Sequence, residues 1–360
     1  MLRPDRSQLL LMSASALFCA GGLLAGEWAV RTWPPDRIRL SPARSAIVHS
    51  RVYGWQLRAR WTQRDEAGHQ VSTDQAGRRV QAAGTAAAGA MRVAILGDSV
   101  AFGTGVDDLE TFASLLSSRE GWTVANFAVP GWGIDQSLLR YENEVRAWRP
   151  SAVVLNVCLA NDLADSMLTH YLYDPAWPKP YFTIEDGRLR RHEEHLVRSR
   201  TKLAWLWLWE HSHLLSLVAS RGGEAAHPEL GHWMGRRKTA VKDEDTASRL
   251  AVLQLLELRD ATRADGAAFL VVLHPDRAAF EERSPLAARL RGDLTATGLP
   301  ALDLAARYRD AGWSFSDLTL DGLGHLSPRG HAVAEREIRD ALAGGRPSAS
   351  TVGAEGAAQR

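Results

Sequence analysis

Short apolar runs closed by glycine or polar residues recur through the middle of the chain, and apolar positions return every three to four residues between them. Val93-Ala94-Ile95-Leu96, stopped by Gly97, has the texture of a buried strand. Trp122 to Phe127, Ala152 to Cys158 and Ala267 to Leu273 read the same way. Ile134 to Trp148 and Ala247 to Arg263 carry the period of amphipathic helices, and a last helix is predicted from near Arg329. Continuously apolar strands alternating with helices imply βαβ units and a mostly parallel sheet covered on both faces. The predicted core spans 91–345, broken by a long aromatic-rich insertion around 166–245. Residues 27–90 show no strong alternation and end in an Ala/Gly-rich linker, Gln81 to Ala90. The tail 346–360, small, polar and Gly/Ala-rich, is expected to be disordered.

The N-terminus follows a different pattern. No charged residue occurs from Ser7 to Gly26, with Arg3 and Arg6 before this stretch and Glu27 closing it. Such a length at about 1.5 Å per residue is enough to cross a bilayer core of roughly 30 Å. Residues 1–26 are read as a signal anchor in preference to a cleaved signal peptide, because cleavage after Ala25 would place the bulky Leu23 at the −3 position. Cys19 follows Phe18, too large for a lipoprotein site. Arg31, Arg37 and Arg39 on the far side blunt the positive-inside signal. On either reading the working part lies outside the cytoplasm: membrane-anchored on the periplasmic side of the inner membrane, or secreted.

Composition narrows the classes. Hydrophobic content of 45% and charged content of 24% exclude a disordered, collagenous or coiled-coil chain as the main architecture. Lys+Arg 43 against Asp+Glu 42 leaves no field to attract nucleic acid, and the run Arg236-Arg237-Lys238 reads as solvated surface. Cys19 and Cys158 are the only cysteines, which excludes a disulfide framework and a cysteine zinc site. His211 and His213 have strand-like ligand spacing without an acidic pair beside them, so neither a metal nor a cofactor is expected.

Open α/β sheets bind ligands beyond the carboxyl ends of their strands. Gly97-Asp98-Ser99 follows the first predicted strand, Asn126 to Gly133 the second, and Leu159-Ala160-Asn161-Asp162 the third. Asp321-Gly322-Leu323-Gly324-His325 precedes the last helix. Taken singly, each is ordinary turn or cap chemistry. Together a serine, a glycine, an asparagine and a histidine on neighbouring loops make a nucleophile, oxyanion donors and a base.

In these four blocks, and in Phe102 to Val106 and Pro130 to Gln136 around them, the chain resembles the SGNH/GDSL hydrolase family over about 92–342. It also resembles a bacterial, N-terminally membrane-anchored subgroup with a Gly-Trp element, here Gly54-Trp55, and a central insertion, here around Lys179-Pro180-Tyr181-Phe182. The resemblance implies a flavodoxin-like three-layer sandwich with a mostly parallel sheet, following an N-terminal transmembrane helix. It implies a serine esterase in which Ser99 attacks an O-acyl ester and His325 takes the proton. The oxyanion would be held by the N–H groups of Ser99 and Gly131 and the Asn161 amide. Two positions depart from the family pattern. Leu159 stands where the third block has glycine, and Gly322 stands where an aspartate precedes the histidine by three. Asp321 is the favoured partner of His325, with a Ser–His dyad or Asp317 as alternatives.

A small-molecule, glycan or lipid acyl ester is the implied substrate; an acyltransferase using the same serine, or a non-catalytic carbohydrate-binding or assembly module, are the competing functions. Trp205, Trp207 and Trp209 alternate with leucines and are expected to pack in a core or on a sheet face, the alternatives being a substrate platform or a patch against the membrane. His274-Pro275 is expected to end the fourth strand in a turn at the edge of the site.

Overall fold

Five parallel strands form the centre of the larger part of the chain: β1 Arg92–Leu96, β2 Thr123–Asn126, β3 Ala152–Cys158, β4 Ala268–His274 and β5 Ala301–Asp303. Their spatial order is β2-β1-β3-β4-β5, with Ala94 opposite Ala125 and Val153, and Val271 opposite Leu155 and Ala301. This is the flavodoxin-like order, whose switch point lies between β1 and β3. The structure, a computed structural model, describes residues 5–34, 46–65, 67–82, 91–120, 122–171, 174–194, 196, 199–221, 243–299 and 301–344. The linker beyond Ala82, the basic run Arg236–Lys238 and the tail from Arg346 lie outside them. The described residues divide into two units, Met1–His49 with Val197–His232 and Ser50–Leu196 with Trp233–Arg360.

Every residue of β3 is buried, so both of its faces are covered, which is why the strand reads as an unbroken apolar run. Helices Ile134–Arg140, Glu244–Ala264 and Pro285–Ala296 pack as one group, and Phe112–Glu120, Leu304–Asp310 and Pro328–Ala343 as another. A three-layer α/β sandwich results. β5 was not predicted, since three residues are too few to show a period. The single helix predicted over Ile134 to Trp148 contains a π-helical turn at Tyr141–Val145, where the Asn143 amide donates to the Leu139 carbonyl.

The stretch upstream of the sheet contributes buried side chains to the larger unit. Tyr53, Trp55 and Leu57 are buried in the larger unit, and Thr62–Arg64 pairs with Gln70–Ser72 as a hairpin. Arg79 is fully buried. Its Nε donates to Asp108 Oδ1 at 2.7 Å, its Nη1 to the Gly103 carbonyl at 3.1 Å and its Nη2 to the Val106 carbonyl at 2.8 Å. The guanidinium also lies over the Phe102 ring. It thus pins the loop that follows the short helix Ser99–Phe102. Removing one partner of a buried ion pair strands the other in a low dielectric. Arg79→Met is expected to cost about 3–5 kcal/mol in urea unfolding, and Arg79→Met/Asp108→Leu to recover part of it. Equal stability of wild type and single variant would show that the pair carries no such role.

In the smaller unit, helix Arg6–Thr32 opens with a capping box between Asp5 and Gln8. At about 1.5 Å per residue it is roughly 40 Å long, and it is apolar enough to cross a membrane. The insertion adds helices Arg200–His211 and His213–Arg221. Here one expectation is overturned. Trp205, Trp207 and Trp209 lie on a helix, and Trp205 and Trp207 are 57% and 60% exposed. Alternation suggested a strand because tryptophan and leucine are compatible with both states; Leu203, Leu206 and Trp209, three apart, are the half-buried positions.

Candidate active site

The segment Gly97-Asp98-Ser99 leaves β1 and turns at once into the helix Ser99–Phe102, whose N-cap is Asp98. The Asp98 carboxylate accepts the Val100 N–H at 2.9 Å. The helix is anchored from the next loop: Asn126 Nδ2 donates to the Ala101 carbonyl at 2.8 Å, and the Val129 N–H donates to the Gly97 carbonyl at 3.1 Å. The serine therefore stands at a fixed point beyond the carboxyl edge of the sheet.

His325 arrives from the far end of the chain. Its Nε2 lies 2.9 Å from Ser99 Oγ, and its Nδ1 lies 2.6 Å from Asp321 Oδ2. The loop geometry explains the odd register. Asp321 Oδ1 accepts the backbone N–H groups of Leu323, Gly324 and His325 at 2.9, 3.0 and 3.2 Å. The chain curls around that carboxylate, and a residue four before the histidine reaches the ring. Partial burial pushes the Asp321 carboxyl up, but the His325 ring and these N–H groups outweigh it and hold it below the usual range. With Nδ1–H donated to the carboxylate, Nε2 keeps its lone pair toward the serine. Asp317 instead caps its own helix through Ser314.

The oxyanion candidates converge less uniformly. Gly131 has φ +79°, a conformation that strains any side chain, and a Cβ built there would sit tightly at 3.1 Å from the Tyr171 ring. Among the described residues, neither the Gly131 nor the Ser99 N–H has an acceptor. Asn161 is buried, and three carboxylate oxygens surround its Nδ2: Asp165 Oδ2 at 2.7 Å, Asp162 Oδ1 at 3.2 Å and Asp98 Oδ2 at 3.3 Å. Burial pushes the Asp98 carboxyl up, and hydrogen bonds from Val100, Asn161 and Ser99 only partly oppose it.

The Gly-Trp element and the insertion meet at the Gly131 loop. Trp55 Nε1 donates to the Pro130 carbonyl and Trp132 Nε1 to the Trp55 carbonyl, both at 3.2 Å. Trp55 packs on Tyr171 with ring centres 4.4 Å apart. Lys179 and Asp135, both fully buried, form an ion pair next to this loop. Gly54, at φ +86°, passes so close that a Cβ would lie 2.8 Å from the Pro178 carbonyl oxygen. Arg79, Asp165 and Tyr171 were missed as parts of this assembly. Asp165 shows no signal beyond its place one helical turn after Asn161, and Arg79 and Tyr171 act across 24 and 40 residues.

His274 does more than end a strand. Its Nε2 donates to the Gly324 carbonyl at 2.8 Å, one residue from His325. Burial lowers its pKa to about 4, against the pull of that carbonyl. The unfolded value is about 6.5, so below pH 6.5 the unfolded chain binds a proton that the native chain refuses. Stability from this group is present above pH 6.5 and is lost as pH falls through about 4. This histidine alone is expected to lower the urea-unfolding free energy by about 3 kcal/mol across that window. His274→Gln should remove this part of the slope, while His331, held down to about 3 by burial, retains its own share. An unchanged slope in the variant would assign the acid sensitivity elsewhere.

No family model and no curated protein matches the chain. Solved structures do. TesA is 14% identical with a TM-score of 0.39, covering 70% of this chain and 98% of that one. A GDSL-like lipase from Bacteroides thetaiotaomicron is 12% identical with a TM-score of 0.39, covering 72% and 92%. The acetyl xylan esterase AlAXEase is 12% identical with a TM-score of 0.38, covering 70% and 100%.

Proposed function

We propose that the chain is a serine hydrolase of carboxylic esters, working outside the cytoplasm and tethered by its N-terminal helix. The observation that carries the reading is the continuous relay from Ser99 Oγ through His325 to Asp321, with spacings of 2.9 and 2.6 Å. His325 Nε2 takes the serine proton as Oγ bonds to the acyl carbon, and the imidazolium returns it to the departing alcohol. Water, activated by the same nitrogen, then releases the acid and frees the serine. The Ser99 and Gly131 N–H groups face the developing oxyanion, and Asn161 turns to it the proton it shares with Asp98. Each such donor is worth about 2.7–4 kcal/mol in the transition state. The same acyl-enzyme would serve acyl transfer if an alcohol replaced water. A glycan or lipid O-acyl group is the substrate class that suits an anchored, extracytoplasmic enzyme.

The test is stoichiometric. A fluorophosphonate should label wild type at Ser99, and an activated aryl acetate should give a burst equal to the enzyme concentration. A chain that is neither labelled nor turns over any acyl ester would sink the reading and favour a non-catalytic module.

A further inference from the structure

The exposed tryptophans of the insertion belong to the same unit as the apolar N-terminal helix, and contacts within that unit tie them to its end. Glu27, the first charge after the uncharged stretch, accepts the N–H groups of His213 and Leu214, each at 2.9 Å, and the Ser212 hydroxyl at 2.8 Å. It thereby caps the helix His213–Arg221. Arg31, one turn further, donates to the His211 carbonyl at 2.8 Å and pairs with Glu27. At Gly26 the two elements run close, a Cβ there lying 3.1 Å from the end of the Leu214 side chain. The junction of the two insertion helices is therefore clamped at the level where the N-terminal helix first becomes charged.

From that junction, helix Arg200–His211 carries Trp205, Trp207 and Leu208 outward, 57%, 60% and 42% exposed. Trp28 and Trp33, at the end of the N-terminal helix, are exposed as well and meet edge to face. Arg200 and Lys202, at the opposite end of the insertion helix, are exposed cations. Tryptophan is favoured at the headgroup level of a bilayer, where its apolar ring and N–H are both accommodated, and basic side chains favour anionic lipid. The His211 end of helix Arg200–His211 is held within about a turn of the point where the uncharged stretch ends.

We propose that helix Arg200–His211 is a second membrane contact, lying in the lipid headgroup region with Trp205 and Trp207 in the outer boundary of the acyl chains. This rests on the reading of the N-terminal helix as a retained span. The occupant of the face is lipid, since continuity with the span and the mixture of tryptophan and cations match an interface.

Nitroxide labels on the full chain, reconstituted into phosphatidylethanolamine/phosphatidylglycerol vesicles, test this. One label is placed on native Cys19, exposed on the span. A second is placed on Ala204→Cys and a third on Asp260→Cys, both in a Cys19→Ser background with Cys158 buried. The expected result is that positions 19 and 204 collide more often with oxygen than with a water-soluble nickel chelate, and that position 260 shows the reverse. A dry Cys19 with position 204 as wet as position 260 would overturn the second contact and leave the anchor standing. Position 204 shielded from both reagents would overturn it in favour of a protein-covered face. If Cys19 itself is wet, the anchor reading fails, and the contact with it.

Discussion

Ser99→Ala is expected to leave a folded chain that forms no acyl-enzyme, with kcat for any accepted ester lowered by on the order of 10⁶, as when the nucleophile of a triad hydrolase is removed. The side chain is half-buried, and its hydroxyl touches the His325 ring and the Asp98 carboxylate. The short helix it opens is held by Asp98, Asn126 and Arg79 through backbone groups of other residues. Loss of one oxygen therefore leaves the scaffold intact while removing the atom that must bond to carbon. His325→Ala should fall to a comparable level, because the serine is a poor nucleophile without a base, and the double variant should be no worse than either alone. The measurements are burst amplitude, steady-state kcat and fluorophosphonate labelling. Undiminished labelling of the serine variant would place the nucleophile elsewhere.

The second large effect concerns Asp321. In Asp321→Asn the amide oxygen still accepts the N–H groups of Leu323, Gly324 and His325, so the loop keeps its curl. The amide nitrogen then faces His325 Nδ1 in place of a carboxylate oxygen. That ring nitrogen must accept, which puts the proton on Nε2, pointing at Ser99, and the base is in the wrong tautomer. The expected loss is about 10²–10⁴ in kcat with little change in KM. Combined with His325→Ala it should add nothing. Asp321→Ala would be less informative, since it also frees three backbone donors. A near-wild-type kcat for Asp321→Asn would remove this carboxylate from catalysis and leave a Ser–His dyad.

Much of the sheet was legible because its strands are buried on both faces. Four of the five strands stood out as apolar runs bounded by glycine or polar residues, with ends within a residue or so of those observed. β5 did not, being short, and neither did the register of the histidine loop. Linear spacing favoured Asp321 while leaving a Ser–His dyad and Asp317 open. Three backbone hydrogen bonds to a single carboxylate oxygen bend the loop around Asp321, and no pattern of residue types announces such a turn.

The chain's own order of residues thus determined what depends on local pattern: an N-terminal helix with a long charge-free stretch, parallel strands alternating with helices, and polar residues waiting at the strands' carboxyl ends. Tertiary structure decided what depends on convergence across long separations. It brought Ser99 and His325, 226 residues apart, within hydrogen-bond distance, buried Arg79 under the loop after the serine, and turned Trp205 and Trp207 outward on a helix. The physical reason is the range of the forces involved. Hydrophobic periodicity is written in neighbouring residues, whereas a hydrogen bond demands an ångström-scale position that only packing of the whole unit supplies.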